Sequence, residues 1–306
     1  MWSGETNYKT SPLAIKSRQQ RLDKTGVLEK ITELLGSSVI LFEPQKEARN
    51  SVFKIHLQDD SVWFLKQLPH SPHFHETSVA NIDSTLIPQA SVPKVLILEY
   101  NNQNFALLSN VPNVGSINVS SNSNSNSNST SNNNNELVVR TLRQVHTMPQ
   151  WPQLVELTLP AVTRLIDTYL PNSPSQVYEK LQQIESSITD SAFQGVLHGD
   201  LSEGNIYLTN DKKVGLIDWE FAAIGDVRWD LAALAVEHAL PRAEFSELLK
   251  QYCQVANYNS HSFLSEAEYW LVYYWLVTMD WSEQNEFKTL DYRNLTQDMK
   301  SIIQQF

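Results

Sequence analysis

The sequence predicts an α+β protein with a sheet-rich N-terminal part and a larger, mainly helical C-terminal part. Two observations support this class. Short apolar or alternating runs separated by turn residues dominate the chain up to residue 109, a pattern typical of an antiparallel sheet. Beyond residue 136 the apolar residues recur at helical spacing instead. We therefore predict an N-terminal lobe over residues 1–109, a connecting stretch over 110–136 and a helical lobe over 137–306.

The N-terminal part is predicted to contain strands with one inserted helix, preceded by another helix. The first helix, over residues 28–35, ends at Gly36, because glycine favours helix C-termini. The inserted helix is predicted over residues 76–86, and turn signals join neighbouring strands into hairpins. The strands are predicted over residues 39–42, 51–57, 61–65, 94–98 and 105–108.

A tract of low complexity separates the two parts. Residues 120–135 contain only Ser, Asn and Thr, so they offer no apolar surface to bury, and a disordered spacer is predicted. An insertion of this kind indicates an exposed loop. After the tract, helices are predicted over residues 137–146, 154–169, 176–188, 229–239, 242–255, 266–279 and 295–303.

Composition narrows the classes of partner. The net charge is −11 and the pI is about 5.2, so we expect neither nucleic acid nor an anionic membrane surface, because their phosphates would be repelled. The one cysteine, Cys253, excludes an intramolecular disulfide and suits a reducing compartment. The N-terminus has no apolar signal core, and the apolar stretch 269–279 is too short to span a bilayer. We expect a cytoplasmic protein and leave its oligomeric state open.

The chemistry concentrates in residues 195–221, GVLHGDLSEGNIYLTNDKKVGLIDWEF. Two short apolar runs flank an Asn-Asp turn signal, so a hairpin is predicted. A simple hairpin through this turn places Asn205 directly opposite Asp218, with Cβ atoms roughly 5 Å apart. An amide oxygen and a carboxylate at that separation suit Mg²⁺, which also takes water and substrate phosphates as ligands. Asp200, in the loop before the hairpin, is placed to accept the proton of an attacking hydroxyl.

This spacing resembles the catalytic and metal-binding loops of the protein-kinase-like fold. HGDLSEGN (residues 198–205, the catalytic loop) stands in place of the HRD form, and IDWEFAAIGDVRWDLA in place of the DFG form. Both are similar to the aminoglycoside phosphotransferase and choline kinase family, and the second is most similar to its choline and thiamine kinases. The resemblance is specific only over residues 195–233. It implies a two-lobed protein-kinase-like fold and transfer of the γ-phosphate of ATP, with Mg²⁺, to a hydroxyl of a small molecule.

The resemblance also implies roles for individual residues. Asp200 corresponds to the catalytic base, and Asn205 and Asp218 correspond to the ligands of Mg²⁺. His198 would orient the catalytic loop, although a buried histidine with a structural role alone fits the sequence equally. Asp230, in the WDLA turn, would cap the following helix and brace the catalytic loop.

The N-terminal lobe carries matching signals of lower specificity. Lys66 ends a predicted strand, and a lysine there would reach the phosphates of ATP. Glu76 begins the inserted helix and resembles the helix glutamate that pairs with that lysine. Ser109 and Val111 lie where the family has its interlobe hinge, whose backbone contacts adenine.

One departure from the family concerns the loop over the phosphates. That loop usually carries glycine, because glycine lets the backbone approach phosphate closely. Residues 37–55 of this chain contain no glycine. Asn50 and Ser51 would then supply the hydrogen-bond donors, as side chains or as backbone amides.

The kind of acceptor is predicted from the C-terminal part. Six Trp and Tyr residues lie between positions 269 and 281, interspersed with Glu266, Glu268 and Asp280. Aromatic faces and carboxylates together favour a small organic cation such as choline or thiamine, although aromatic residues at helical spacing usually belong to a core. The residues predicted to contact the acceptor are Glu220, Trp270, Tyr274 and Trp281.

Two alternatives remain open at this point. An aminoglycoside or sugar phosphotransferase of the same family would need several carboxylates and few aromatic residues in its acceptor site. A non-catalytic nucleotide-binding regulatory protein would explain the missing glycine loop. The presence of Asp200, Asn205, Asp218 and Lys66 argues against this second alternative.

Overall fold

The computed structural model describes residues 24–45, 52–68, 82, 84–117, 130–149, 154–188 and 191–285. The strands are β1 (Val39–Pro44), β2 (Val52–Leu57), β3 (Val62–Gln67), β4 (Ala90–Ser91), β5 (Val95–Tyr100), β6 (Gln103–Ser109), β7 (Asn113–Ser116), β8 (Gln194–Leu197), β9 (Ile206–Thr209), β10 (Val214–Leu216) and β11 (Ala223–Asp226). The helices are α1 (Lys24–Leu35), α2 (Thr130–His146), α3 (Val162–Tyr169), α4 (Ser175–Ser187), α5 (Arg228–Glu237), α6 (Arg242–Ala256), α7 (Ser260–Leu264) and α8 (Ala267–Asn285). The described residues form two compact units, one containing the chain up to Leu68 with Ile97–Leu108, and the other containing the remainder.

The first unit is built on a five-stranded sheet with the order β1-β2-β3-β6-β5. β2 pairs antiparallel with both β1 and β3. Between β2 and β3 the chain turns at Asp60, which has a φ of 65°, while the Asp59 carboxylate accepts the N–H of Ser61 at 3.0 Å. The antiparallel sheet predicted for the N-terminal part is confirmed. Its core contains the buried side chains of Ile55, Leu57, Leu65, Phe105 and Leu107.

Helix α1 packs against β1 and buries Val27 and Ile31. Gly26 lies inside this helix because a Cβ at its position would come within 1.9 Å of the Tyr100 hydroxyl oxygen. Gly36, with a φ of +67°, ends the helix as predicted. Of the predicted inserted helix, the structure describes a short 3₁₀ turn at Ser84–Leu86, and residues 76–81 lie outside the described part of the chain.

The second unit combines two small sheets with the other helices. One sheet has the order β4-β10-β9-β7, and β8 pairs antiparallel with β11 in the other. Every residue of α5 from Arg228 to Val236 is buried, so this helix is enclosed by the unit rather than packed on its surface. α8 packs along α5. Between β8 and α5 the chain forms the β9–β10 hairpin and a 3₁₀ turn at Trp219–Phe221.

Two predicted helix starts are corrected. α2 begins at Thr130 rather than at residue 137, so the last residues of the Ser/Asn/Thr tract are helical; residues 118–129 lie outside the described residues. α3 begins at Val162 rather than at residue 154, because Pro160 lacks an N–H donor and disfavours helical backbone before it. Glu156 instead forms an isolated parallel bridge with Ile224.

The aromatic segment near the C-terminus lies within α8, where the sequence predicts a helix over residues 266–279, and most of its aromatic side chains are buried. In the part of the chain that the structure describes, no helix is long and apolar enough to cross a membrane. The helix predicted over residues 295–303 lies outside that part.

Candidate active site

Strand β8 leads directly into the catalytic loop. Its pairing with β11 brings the loop against the 3₁₀ turn at Trp219–Phe221. Gly199 has a φ of +84°, and a Cβ there would lie 2.1 Å from the Phe221 carbonyl oxygen. Glycine at this position therefore meets both a backbone requirement and a packing requirement.

The β9–β10 hairpin closes the other side of the catalytic loop, with a register one residue away from the predicted one. Leu216 pairs with Ile206, so Asn205 stands opposite Ile217, whose N–H it accepts at 3.1 Å. The prediction that Asn205 faces Asp218 is wrong. The hairpin loop has three residues rather than two, with Lys212 at a φ of 59°, as in loops where a left-handed residue follows a type I turn.

Asp200, Asn205 and Asp218 nevertheless come together. The Asn205 amide nitrogen donates to the Asp200 Oδ2 at 2.9 Å and to the Asp200 carbonyl oxygen at 3.2 Å. Asp218 adopts a left-handed backbone conformation, φ 62° and ψ 60°, which Asp tolerates better than most residues. Burial raises the pKa of the Asp200 carboxyl, and the negative charge of Asp218 raises it further. The two carboxylates are thus close enough for their charges to interact.

The residue set fits a magnesium ion. Because the Asn205 nitrogen is directed at Asp200, its amide oxygen is left as a hard ligand, on a residue paired with Ile217, the neighbour of Asp218. Among the described residues, no group of three or more His, Cys, Asp or Glu side chains is arranged to hold a metal. A site with one carboxylate and one amide suits Mg²⁺, which keeps several waters and binds substrate phosphates.

His198 joins the catalytic loop to the residue preceding Asp218. Its ring is fully buried, with Nε2 3.0 Å from the Ile217 carbonyl oxygen and Nδ1 accepting the Asp200 N–H at 3.3 Å. Because Nδ1 accepts an N–H, it carries no hydrogen, so the ring is neutral and its Nε2–H donates to the carbonyl. Burial lowers the pKa of His198, which favours the same state. This side chain connects the two acidic segments.

Asp230 holds the backbone of the catalytic loop. Its carboxylate accepts the N–H groups of His198 at 2.8 Å and Gly199 at 3.0 Å. The prediction that it also caps the following helix is corrected. That contact comes from Asp226, whose carboxylate accepts the N–H of Arg228 at 2.9 Å near the start of α5.

The sequence analysis missed one carboxyl that is close enough to Asp200 for the two charges to interact. Glu237, at the end of α5, accepts the hydroxyl of Tyr274 at 3.1 Å. Burial raises the pKa of Glu237 to about 7, with the charges of Asp200 and Glu203 contributing in the same direction. Burial also raises the pKa of Tyr274, followed by the charges of Glu237 and Asp200. Glu237 stands seven residues, or about two helical turns, after Asp230, so shared helix face was the signal that could have identified it.

The other residues predicted to contact the acceptor have different surroundings. Trp270 is fully buried and faces the guanidinium of Arg228, 5.4 Å from its ring; its predicted contact with the acceptor is corrected, because it belongs to the core. Trp281 is 38% exposed and shares a face of α8 with Tyr274, seven residues earlier. Glu220 is buried within the turn that follows Asp218.

Acidic residues in and next to α8 form ion pairs with arginine side chains of the protein, so they are not open to a cationic acceptor. Arg164 donates to both carboxylate oxygens of Asp280, at 2.6 and 2.7 Å. Arg228 donates to Glu266, and Arg242 donates to Glu268. These acids tie the helices of the second unit together.

The residues predicted to bind the nucleotide are only partly described. Lys66 lies on β3 in the first unit and is 5% exposed. Asn50, Ser51 and Glu76 lie outside the described residues.

The predicted hinge residues use several of their polar groups within the protein. The Ser109 N–H donates to the Lys94 carbonyl at 2.9 Å, and its hydroxyl accepts the Lys94 N–H at 2.7 Å. The Val111 carbonyl accepts the Tyr207 hydroxyl at 3.0 Å. The ring of Tyr207 lies over Gly215, where a Cβ would come within 2.4 Å of it. An adenine bound at this stretch would therefore have to use backbone groups other than the Ser109 N–H and the Val111 carbonyl.

Comparisons with known proteins identify the family and the fold. The sequence model of a phosphotransferase enzyme family matches residues 45–264. The choline kinase LicA from Streptococcus pneumoniae shares 16% sequence identity with this chain. The two structures align over 92% of this chain and 99% of LicA, with a TM-score of 0.63. The amicoumacin kinase hAmiN, solved with AMP-PNP, Ca²⁺ and Ami, shares 16% identity over 96% of each chain at 0.62.

A third solved structure is the macrolide 2'-phosphotransferase MphH from Brachybacterium faecium, with 15% identity over 86% of this chain and 93% of that one, at a TM-score of 0.55. No curated protein sequence matches the chain. At sequence identities this low, the structural similarity establishes the fold alone. The predicted two-lobed, protein-kinase-like architecture is confirmed.

Proposed function

The chain belongs to the phosphotransferase enzyme family, and from this premise we propose that it transfers the γ-phosphate of ATP to a hydroxyl of a small cationic alcohol. Membership makes the protein a small-molecule phosphotransferase of the kinase type. The proposal adds the chemical class of the acceptor. The observation that carries it is the Glu237–Tyr274 pair, a mostly buried carboxyl and a phenol hydroxyl whose surroundings include the charge of Asp200.

In this proposal Asp200 accepts the proton of the acceptor hydroxyl. Its raised pKa makes the carboxylate a better base than a fully solvated one, since basicity near the working pH favours proton transfer. The Asn205 amide fixes the carboxylate through its hydrogen bond to Oδ2. His198 fixes the loop backbone from the other side by accepting the Asp200 N–H.

The proposed phosphate contacts are a magnesium ion and a lysine side chain. Asn205 and Asp218 would hold Mg²⁺, which when bound neutralises charge on the phosphates during transfer. We propose that Lys66, a buried cation on β3, contacts the phosphates of ATP, with Glu76 as its partner. Asn50 and Ser51 are proposed donors in place of a glycine-rich loop.

The acceptor site is proposed at Glu237, Tyr274 and Trp281. An ionised Glu237 would attract a positive head group, and desolvation strengthens such an attraction. Trp281 shares the α8 face of Tyr274 and is exposed enough to cover a ligand. An aromatic ring in contact with the head group would add about 0.5–2 kcal/mol by cation–π attraction.

Known relatives support more than one acceptor class. A choline kinase acts on a small cationic alcohol, whereas macrolide and amicoumacin kinases act on larger antibiotics. The pairing of Asp280, Glu266 and Glu268 with arginine leaves fewer carboxylates for a polycationic aminoglycoside. This charge distribution favours an acceptor with a single cationic centre.

The test is turnover of Mg·ATP with a panel of choline, ethanolamine, thiamine, neutral sugars and aminoglycosides. Product phosphorylation is detected by mass spectrometry, and ADP release gives the rate. We expect the highest kcat/KM with one of the small cationic alcohols. Without an acceptor, we expect only the ADP release that comes from slow ATP hydrolysis. A sugar or an aminoglycoside as the best acceptor would contradict the proposed class while leaving the phosphotransferase assignment intact.

A further inference from the structure

Three buried side chains form a hydrogen-bonded chain that ends at the catalytic loop. The Tyr252 hydroxyl, on α6, lies 2.6 Å from Nδ1 of His146, the last residue of α2. His146 Nε2 lies 3.2 Å from Oδ2 of Asp230, in the first turn of α5. Tyr252 and Asp230 have no exposed surface, and His146 has 3%. Solvent therefore does not replace a partner that is lost from this chain.

The direction of the hydrogen bond between His146 and Asp230 follows from the carboxylate. Asp230 already accepts the N–H groups of His198 and Gly199, and an ionised carboxylate can only accept. Burial raises the pKa of Asp230, but the hydrogen bond with His146 and the interactions with His198 bring it below its usual value. Nε2 of His146 must then carry the hydrogen that faces Asp230. The other ring nitrogen, Nδ1, is the atom that forms the hydrogen bond with the Tyr252 hydroxyl.

We propose that Tyr252 and His146 are positioning residues for phosphoryl transfer. They keep the Asp230 carboxylate directed at the backbone of the catalytic loop, and the loop in turn presents Asp200 to the acceptor. Without the donor on His146, a buried carboxylate oxygen would lose one of its partners, which weakens its hold on the two N–H groups. The catalytic part of this inference rests on the proposed function, because Asp200 acts there as the base.

The Tyr252 hydroxyl can be removed with little change in packing. The Tyr252 ring stacks on Phe263 at 5.7 Å between centroids, and phenylalanine keeps that contact. Tyr273→Phe is a matched control in the same unit. Tyr273 is equally buried, and its hydroxyl donates to the Pro160 carbonyl at 3.1 Å rather than to the chain described above.

The experiment compares Tyr252→Phe with Tyr273→Phe by steady-state kinetics and by hydrogen exchange at the amides of His198 and Gly199. For Tyr252→Phe we expect kcat to fall about three- to tenfold, both KM values to stay within about twofold, and exchange at these amides to rise by a similar factor, the range for one net hydrogen bond. For Tyr273→Phe we expect a loss of Tm similar to that of Tyr252→Phe, because each variant removes one buried hydrogen bond. Its kcat and the exchange at the amides of His198 and Gly199 should equal those of the parent.

A second pair of variants addresses His146. His146→Gln retains a donor for Asp230, so it should keep more of the parent kcat than His146→Leu, which has none. The positioning role is refuted if Tyr252→Phe and Tyr273→Phe show the same kcat, or if exchange at His198 and Gly199 equals that of the parent. If no alcohol accepts phosphate from the parent enzyme, the proposed function fails, and the exchange comparison still decides whether the chain holds the loop.

Discussion

The charge of Glu237 provides a direct test of the proposed acceptor site. Glu237→Gln retains an oxygen that can accept the Tyr274 hydroxyl but removes the negative charge. Two opposite charges about 5 Å apart attract by about 3 kcal/mol at an effective dielectric of about 20, and desolvation of the cation offsets part of this. A net loss of about 1.5–3 kcal/mol corresponds to a KM for the cationic acceptor raised about ten- to hundredfold at about pH 8.

The pH dependence of the KM for the cationic acceptor provides a second test of the same site. The pKa of Glu237 is raised to about 7, so about one carboxyl in ten is ionised at about pH 6 and about nine in ten at about pH 8. If the cation binds the ionised form, the parent KM falls about tenfold as the pH rises across this interval. The variant should show no such fall. Its KM should stay high and nearly constant.

The assay is coupled ADP release with choline, or the best cationic acceptor of the panel, at a series of pH values. The control is the neutral carbon isostere of choline, in which a quaternary carbon replaces the nitrogen, together with the KM for ATP. Neither should depend on Glu237 by more than about twofold. The reasoning is refuted if Glu237→Gln leaves both the KM for the cation and its pH profile like those of the parent.

Three further predictions follow from the structure. Asp200→Asn should lower kcat by at least about a hundredfold with ATP binding within about twofold of the parent, measured by turnover and titration calorimetry; a near-normal kcat would exclude Asp200 as the base. Trp281→Leu should raise the KM for the cationic acceptor about two- to thirtyfold and spare ATP, whereas Trp270→Leu should lower Tm and reduce activity on every acceptor alike; identical behaviour of the two would contradict their different placement. Ala239, at a φ of 47° just after α5, should give a Tm about 2 °C higher as glycine, because a left-handed conformation strains alanine; calorimetry showing a lower Tm would refute this.

The catalytic loop was accessible to sequence reasoning because its contacts are local. Asp200 and Asn205 are five residues apart, and the hydrogen bond between them follows from that spacing and from the hairpin after it. Gly199 likewise reflects a backbone conformation that is set within the loop. Alternation in the N-terminal strands and helical spacing after residue 136 gave the α+β class for the same reason, since both are short-range patterns.

Local patterns failed where a backbone detail or a distant partner decides the outcome. A three-residue loop with a left-handed Lys212 shifts the β9–β10 register by one residue, and a simple turn signal does not specify loop length. Pro160 and its surroundings delay the start of α3 to Val162. Trp270 is of a residue type that binds cations through its ring, but in the core the guanidinium of Arg228 already lies over that ring.

The sequence by itself determined the fold class and the family, and it supplied the residues proposed for the phosphate side, because these depend on residue types at short, fixed spacings. Only the tertiary structure brought Glu237 to Tyr274, separated by 37 positions, and His146 to Tyr252, separated by 106. Such contacts arise when α2, α5, α6 and α8 pack together. Their geometry depends on the shape and burial of the whole unit, which no short pattern encodes.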